Sequence, residues 1–250
     1  MKGVILAGGI GSRLLPLTKV TNKHLLPVYK KPMIYYPLQT LVDAGMKDIL
    51  IVTGPEHPGD FLKLLGSGKE WGVKFTYEIQ ENASGTAGAL LLAKDFADNE
   101  DFITVLGDNV LLSNIKAFAQ DFEKNRDSIK AKILLSKVKN PERYGVATVD
   151  GKKITSIEEK PKNPKSNLAI TGVYMFTPDV FNEFSRLKPS PRGELELTDI
   201  LISYLKQGAL GFDILQEAWT DAGSFDALYE ATVLMHELEL KGLLKNENSR

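Results

Sequence analysis

Val4-Ile5-Leu6-Ala7-Gly8-Gly9-Ile10-Gly11-Ser12-Arg13 is an apolar run that breaks into glycines and ends on an arginine. Residues without a Cβ at a strand end let backbone N–H groups approach a phosphate closely, and an arginine two positions past the last glycine adds a forked cation. The segment therefore reads as a strand running into a nucleoside triphosphate cradle, with Leu6, Gly8, Gly9, Gly11, Ser12 and Arg13 as candidate contacts. Two commoner glycine loops do not fit. A Walker loop ends in Gly-Lys-Ser/Thr, and the chain has Gly11-Ser12-Arg13; a dinucleotide fingerprint needs a third glycine where Leu14 stands. The plain alternative is a turn with an incidental arginine.

Outward from this turn, short β-branched or apolar runs at 4–7, 49–53, 73–77 and 102–106 alternate with helix-like segments near 32–44, 58–65, 86–96 and 114–124. That spacing predicts βαβ units and a mainly parallel α/β sheet. From about residue 131 to 176 the pattern changes to strand-like runs divided by turn residues such as Asp150-Gly151, which reads as an antiparallel insertion or extension capping one sheet edge. Residues 161–164 read as a loop. A last helix over 225–240 carries Phe225, Leu228, Tyr229, Thr232 and Met235 at helical spacing, a stripe that suits a core. We expect a single domain, with a nucleotide-binding part over about 1–130, a second part over about 131–223, and a C-terminal helix and tail over 224–250.

The 250 residues are 43% hydrophobic and 25% charged, enough for one large core. Thirty-one basic against 32 acidic residues give a net charge of −1, which supplies no broad positive field for nucleic acid or an anionic membrane. There is no cysteine, so disulfides and thiolate metal sites are excluded, and the expected compartment is the reducing cytoplasm. The first apolar run breaks at Gly8-Gly9, too early for a signal peptide, and no stretch approaches the roughly 18 apolar residues that span a bilayer.

Asp108, between Gly107 and Asn109 after the run 102–106, belongs at the carboxyl end of a buried strand, where open parallel sheets bind ligands. A carboxylate there, beside a phosphate cradle, suits Mg²⁺; an Asp-Asn turn or helix cap is the alternative. Asp221, in Trp219-Thr220-Asp221-Ala222-Gly223, is the candidate second ligand. Lys23 lies in the polar loop after the glycine turn and can reach the same triphosphate, though a loop lysine is commonly only solvated; His24 beside it can touch the nucleotide but better suits a structural or incidental role. Gln80 precedes Ser84-Gly85-Thr86; its amide can pair with a base edge and Gly85 lets a backbone N–H approach that base, though a helix-capping loop uses the same residues. Glu159 and Lys160 fall on opposite faces of a regular strand, so both face one site only if the strand bends before Pro161.

Together the segments 6–13, 22–27, 31–37, 106–109, 156–161, 165–174, 192–199 and 219–223 resemble the sugar nucleotidyltransferases, most closely the glucose-1-phosphate thymidylyltransferases, in the family's order and across almost the whole chain. The resemblance implies a Rossmann-like, mostly parallel mixed sheet with helices on both faces and a smaller antiparallel sugar-binding lobe. It implies that Arg13 and Lys23 hold the triphosphate, Gln80 and Gly85 read the pyrimidine, and Asp108 and Asp221 hold Mg²⁺. Gly145, Glu159, Lys160, Ile170 and Gly172 would grip glucose 1-phosphate, with Arg192 near its phosphate and Arg13, Lys23 and Lys160 as the catalytic cations. The expected reaction is thymidylyl transfer from dTTP to glucose 1-phosphate; the alternatives are the same reaction with UTP or another nucleotide or sugar phosphate, or a non-catalytic nucleotide-sugar-binding regulator. A homo-oligomer, tetramer or dimer, is also implied. The family often has Gln at His24, Leu at Thr86 and Thr-His at Ser224-Phe225, and its long members carry further C-terminal helices, so a short form without them is expected.

Overall fold

The computed structural model describes residues 1–82, 84–188, 190 and 193–243. Strand β1 (Lys2–Ala7) is followed by a small hairpin of β2 (Pro27–Val28) and β3 (Lys31–Pro32), and then by α1 (Tyr35–Asp43). The chain continues through β4 (Asp48–Thr53), α2 (Pro58–Leu65), β5 (Lys74–Ile79), α3 (Gly85–Leu91), α4 (Lys94–Ala97) and β6 (Phe102–Leu106). Next come β7 (Asn109–Leu111), α5 (Lys116–Asn125), β8 (Ala131–Lys137), β9 (Gly145–Asp150), β10 (Lys153–Glu159) and β11 (Leu168–Phe176). It closes with α6 (Val180–Glu183), α7 (Leu197–Lys206), β12 (Leu210–Ile214), β13 (Trp219–Asp221) and α8 (Phe225–Leu240).

Among the described residues the main sheet has nine strands, ordered β10-β9-β11-β6-β1-β4-β5, with β8 on β11 and β12 on β8. β6, β1, β4 and β5 are parallel, as the βαβ alternation predicts. Val4, Leu6, Leu50 and Val52 face a core shared with α3 and α7, whereas Ile5, Ala7, Ile49 and Ile51 face one shared with α1, α2 and α5. These strands are apolar on both sides because helices cover both sides. The antiparallel strands after residue 131 extend this sheet, since β11 pairs antiparallel with β6 and carries β8 and β9.

Three helices differ from the sequence reading; in the last, α8, Met235 is buried, but Phe225 and Tyr229 of the expected core stripe are exposed, because the small Ala227 and Ala231 form the inward face. The first starts at Tyr35, not near residue 32, because Pro27–Val28 pairs with Lys31–Pro32 and keeps that stretch extended. The helix expected over 86–96 is two, α3 and α4; between them the Leu92 and Ala93 amides donate to Ala89 and Leu90, a tightened turn that re-aims the chain. No helix among the described residues is long and apolar enough to cross a membrane.

Candidate active site

The parallel strands end together, so Gly8 after β1, Gln80 after β5 and Asp108 after β6 meet at one edge. A cleft of about 410 Å³ opens there, lined by Leu6, Gly8, Gly9, Ser12, Arg13, Lys23, Gln80, Gly85 and Asp108 from the first half. Gly145, Glu159, Lys160, Ile170 and Gly172 line it from the antiparallel part, and Asp221 from β13. Two expected residues stand apart. Gly11 is not among the lining residues: it takes a left-handed φ of 66°, and a Cβ there would sit 2.8 Å from Thr18 Cγ2 and 2.9 Å from Lys23 Cβ, so it shapes the turn from behind. Arg192 lies outside the described residues.

Asp108 and Asp221 are brought together by register. β13 runs antiparallel to β7 with Asp221 opposite Asn109, and the Ala222 amide donates to the Asp108 carbonyl at 2.8 Å. Gly223 marks the point where the charges converge, for a Cβ on it would lie 2.7 Å from Arg13 Nη2, 2.9 Å from Asp108 Oδ2 and 3.3 Å from Asp221 Oδ2. Among the described residues no third Asp, Glu or His joins the pair.

Each carboxylate has a partner. Lys23 Nζ donates to Asp108 Oδ2 at 2.6 Å. Burial alone would raise the Asp108 pKa, but Lys23, then His24 and Arg13, hold it well below the usual carboxylate range. Tyr144 Oη donates to Asp221 Oδ1 at 3.0 Å, and Arg143 Nη2 stands 3.7 Å from the same oxygen. Burial first, then the Asp221 charge, push the Tyr144 phenol upward, so it remains a donor.

His24 is 2% exposed and lines the cleft beneath Gly107, where a Cβ would lie 2.6 Å from His24 Cδ2. Asn22 Oδ1 accepts from the His24 backbone N–H at 2.9 Å and meets its Nδ1 at 2.7 Å, so that ring nitrogen carries the hydrogen. Burial, then Lys23, lower its pKa to about 3, against smaller opposing effects of Asp108 and a backbone hydrogen bond with Ala7.

The bend required at Glu159 and Lys160 exists. β10 ends at Glu159, Lys160 takes a φ of 44°, and its amide donates to the Tyr144 carbonyl at 3.0 Å, so both side chains line the cleft with Lys160 Nζ 3.5 Å from Glu159 Oε1. Thr198 Oγ1 donates to Glu159 Oε2 at 2.6 Å. A Cβ on Gly145 would lie 3.2 Å from that oxygen, so glycine lets the carboxylate approach the β9 backbone. Pairing of β11 with β8 shifts register between Ile170 and Tyr174, and there the Gly172 amide donates to Asn109 Oδ1 at 3.0 Å. Gln80 Nε2 donates to Ser84 Oγ and Gly85 O, at 3.2 and 3.1 Å, leaving its Oε1 beside Gly8. Gly85 has φ 86°, and a Cβ there would be 2.6 Å from the Leu195 carbonyl, so this glycine also serves the crossing of the 194–195 segment.

Residue-type reasoning assigned nothing to Asn109, Tyr144, Thr198 or Trp219, all of which line the cleft. Asn109, Thr198 and Trp219 fall inside the segments that carry the family resemblance; Tyr144 has only its place directly before Gly145 as a signal.

A family model described as nucleotidyl transferase matches residues 2–237. A Neisseria meningitidis glucose-1-phosphate thymidylyltransferase is 42% identical over 243 residues, spanning 96% of this chain and 84% of that relative. A Haloferax volcanii low-salt glycan biosynthesis nucleotidyltransferase is 40% identical over 98% of this chain and 68% of its own length. Among solved structures, a Bacillus anthracis chain assigned as a glucose-1-phosphate thymidylyltransferase, in complex with a sucrose, is 50% identical, with a TM-score of 0.89 over 94% of both chains. A UDP-glucose pyrophosphorylase complexed with UDP-glucose is 27% identical, with a TM-score of 0.83 over 94% of this chain and 98% of that one. The match over residues 2–237 and the 42% identity over nearly the whole chain show that this chain, whose glycine turn, carboxylate pair and Lys160 share one cleft, is an enzyme of the nucleotidyl transferase family.

Proposed function

We propose that the chain transfers a thymidylyl group from dTTP to α-D-glucose 1-phosphate, giving dTDP-glucose and pyrophosphate. The observation that carries this is the shared cleft, in which Arg13, Lys23 and Asp108 from the glycine-turn side face Glu159, Lys160 and Gly172 from the antiparallel side. A sugar-phosphate oxygen forms a new P–O bond to the α-phosphorus from the side opposite the departing pyrophosphate, whose bridging P–O bond breaks. A sugar phosphate is already ionised at neutral pH, so no general base is needed. The barrier is mutual repulsion and disorder of two polyanions, which fixed cations and fixed geometry lower.

In this reading Arg13 and the backbone of the glycine turn hold the leaving β- and γ-phosphates, and Lys23 braces the α-phosphate. Lys160, on its bent strand end, aligns the attacking phosphate, while Glu159 and the Gly172 backbone orient the sugar hydroxyls. Gln80 presents its amide to the base. The Asp108–Asp221 pair suits Mg²⁺, a hard cation that takes one or two carboxylates and completes its shell from phosphate oxygens and water. When bound, that cation supplies neutralising charge at the phosphate oxygens.

The test is pyrophosphate release with Mg²⁺ and glucose 1-phosphate, supplied separately with dTTP, UTP, CTP, GTP or ATP. Fastest release with dTTP, abolished by EDTA, is the expected result. A clear preference for UTP would overturn the choice of nucleotide, and binding without turnover for all five would overturn the catalytic reading of this sugar phosphate.

A further inference from the structure

Tyr144 stands where the two halves of the site join. Its backbone carbonyl accepts from the Lys160 amide at 3.0 Å, its hydroxyl donates to Asp221 Oδ1 at 3.0 Å, and its ring meets Trp219 edge-on, with centroids 5.2 Å apart. Trp219 Nε1 in turn donates to Asn109 Oδ1 at 2.6 Å, and Asn109 Nδ2 reaches Asp108 Oδ1 at 3.4 Å. One chain of contacts thus runs from the sugar-side lysine through Tyr144 to both carboxylates.

A carboxylate has two equivalent oxygens and rotates easily, so what fixes its outward oxygen is a directional contact on the other. For Asp221 that contact is the Tyr144 hydroxyl, because the nearest cation, Arg143 Nη2, is at 3.7 Å and supplies charge more than direction. We propose that Tyr144 is a positioning residue for the divalent cation: by holding Asp221 Oδ1 it leaves Oδ2 turned toward the Asp108 Oδ2 side of Gly223, and its backbone link ties that orientation to Lys160. This rests on the reading of Asp108 and Asp221 as the cation's carboxylates. Groups that orient metal-binding side chains are typically worth 10–100-fold in metal affinity.

Tyr144→Phe removes one oxygen and keeps both the ring against Trp219 and the carbonyl on Lys160. Mn²⁺ titrated into the free protein and followed by electron paramagnetic resonance should bind the variant roughly 10–100-fold more weakly than the native chain. The cation concentration giving half-maximal turnover should rise by a similar factor, with kcat at saturating cation kept within a few-fold and dTTP affinity in EDTA unchanged. Equal Mn²⁺ affinity, or an equal loss of metal-free dTTP affinity, would overturn the proposal. The Asp221→Ala variant separates the two readings: if Mn²⁺ binding ignores that change, the carboxylate pair itself is wrongly assigned, and the role of Tyr144 falls with it. Melting temperature gives a further arm independent of cations. Tyr144→Phe should lower it in the native chain and leave it unchanged in Asp221→Ala, where the hydroxyl has lost its acceptor; additive losses would show that the phenol acts elsewhere.

Discussion

Lys23 Nζ rests 2.6 Å from Asp108 Oδ2, and both side chains are close to nine-tenths buried. The cation assigned to the triphosphate and the carboxylate assigned to the metal therefore neutralise each other across the cleft wall. Lys23→Met should leave Asp108 charged, desolvated and unpaired, lowering stability by about 1–3 kcal/mol in urea denaturation. It should also lower turnover roughly 10²–10³-fold, the usual loss for one positioned donor. Adding Asp108→Asn should restore most of the stability and none of the activity; a double variant no more stable than Lys23→Met would show that the ion pair does not carry the effect.

Gly223 is surrounded by side-chain tips, not by backbone: Arg13 Nη2, Asp108 Oδ2 and Asp221 Oδ2 are the atoms a Cβ would meet. Gly223→Ala should therefore fold, with a melting temperature within about 3 °C of the native chain, an allowance of roughly 1 kcal/mol at this size. The methyl would stand where the two carboxylate oxygens converge, so Mn²⁺ binding and turnover should both be lost. Full activity in this variant would place the cation elsewhere.

On the wall proposed to hold the sugar, Thr198 Oγ1 donates to Glu159 Oε2 at 2.6 Å. Thr198→Val removes that donor at constant shape and weakens the hold on the carboxylate, whose other oxygen keeps Lys160 Nζ at 3.5 Å. A hydrogen bond to a charged group is worth about 1.5 kcal/mol or more, so KM for glucose 1-phosphate should rise roughly tenfold. KM for dTTP should stay constant, because the glycine turn and Gln80 lie on the other wall of the cleft; an equal rise in both would argue for a general distortion.

The parts legible in the sequence were local. Short apolar runs marked the parallel strands, a 3.6-residue pattern marked the extent of α8 but not its inward face, and the glycines after β1 announced a turn at the strand's carboxyl end without knowledge of any other segment. Asp108 was legible because a carboxylate directly after a buried strand has one place to go. The supporting contacts were not legible, because they join residues far apart: Trp219 reaches Asn109 across 110 positions and Tyr144 reaches Asp221 across 77. Only the pairing of β13 with β7 brings those residues together, and a three-residue strand carries too little periodicity to reveal its partner. The break between α3 and α4 was hidden for the opposite reason, since Leu92 and Ala93 are ordinary helix formers and the turn is imposed by packing.

His24 should make the stability of the protein sensitive to acid. Its neutral ring is enclosed beneath Gly107, and burial, followed by Lys23, lowers its pKa from 6.5 to about 3. The unfolded chain takes up a proton near pH 6.5 that the folded chain refuses until about pH 3. The stability tied to the neutral ring is thus fully present above pH 6.5 and is lost as the pH falls toward 3, with a slope of about 1.4 kcal/mol per pH unit for one proton. Asp108 moves in the same direction over a lower window: its depressed carboxyl contributes stability above its ordinary value of 3.8, which fades in stronger acid. Between pH 6 and pH 4.5 the histidine should therefore dominate over Asp108. His24→Gln, which retains a polar amide and cannot titrate, should flatten the stability profile by about that slope when urea midpoints are compared across this range. An unchanged slope would mean that the native ring is protonated in place or that water reaches it, and the enclosure under Gly107 would not be what keeps it neutral.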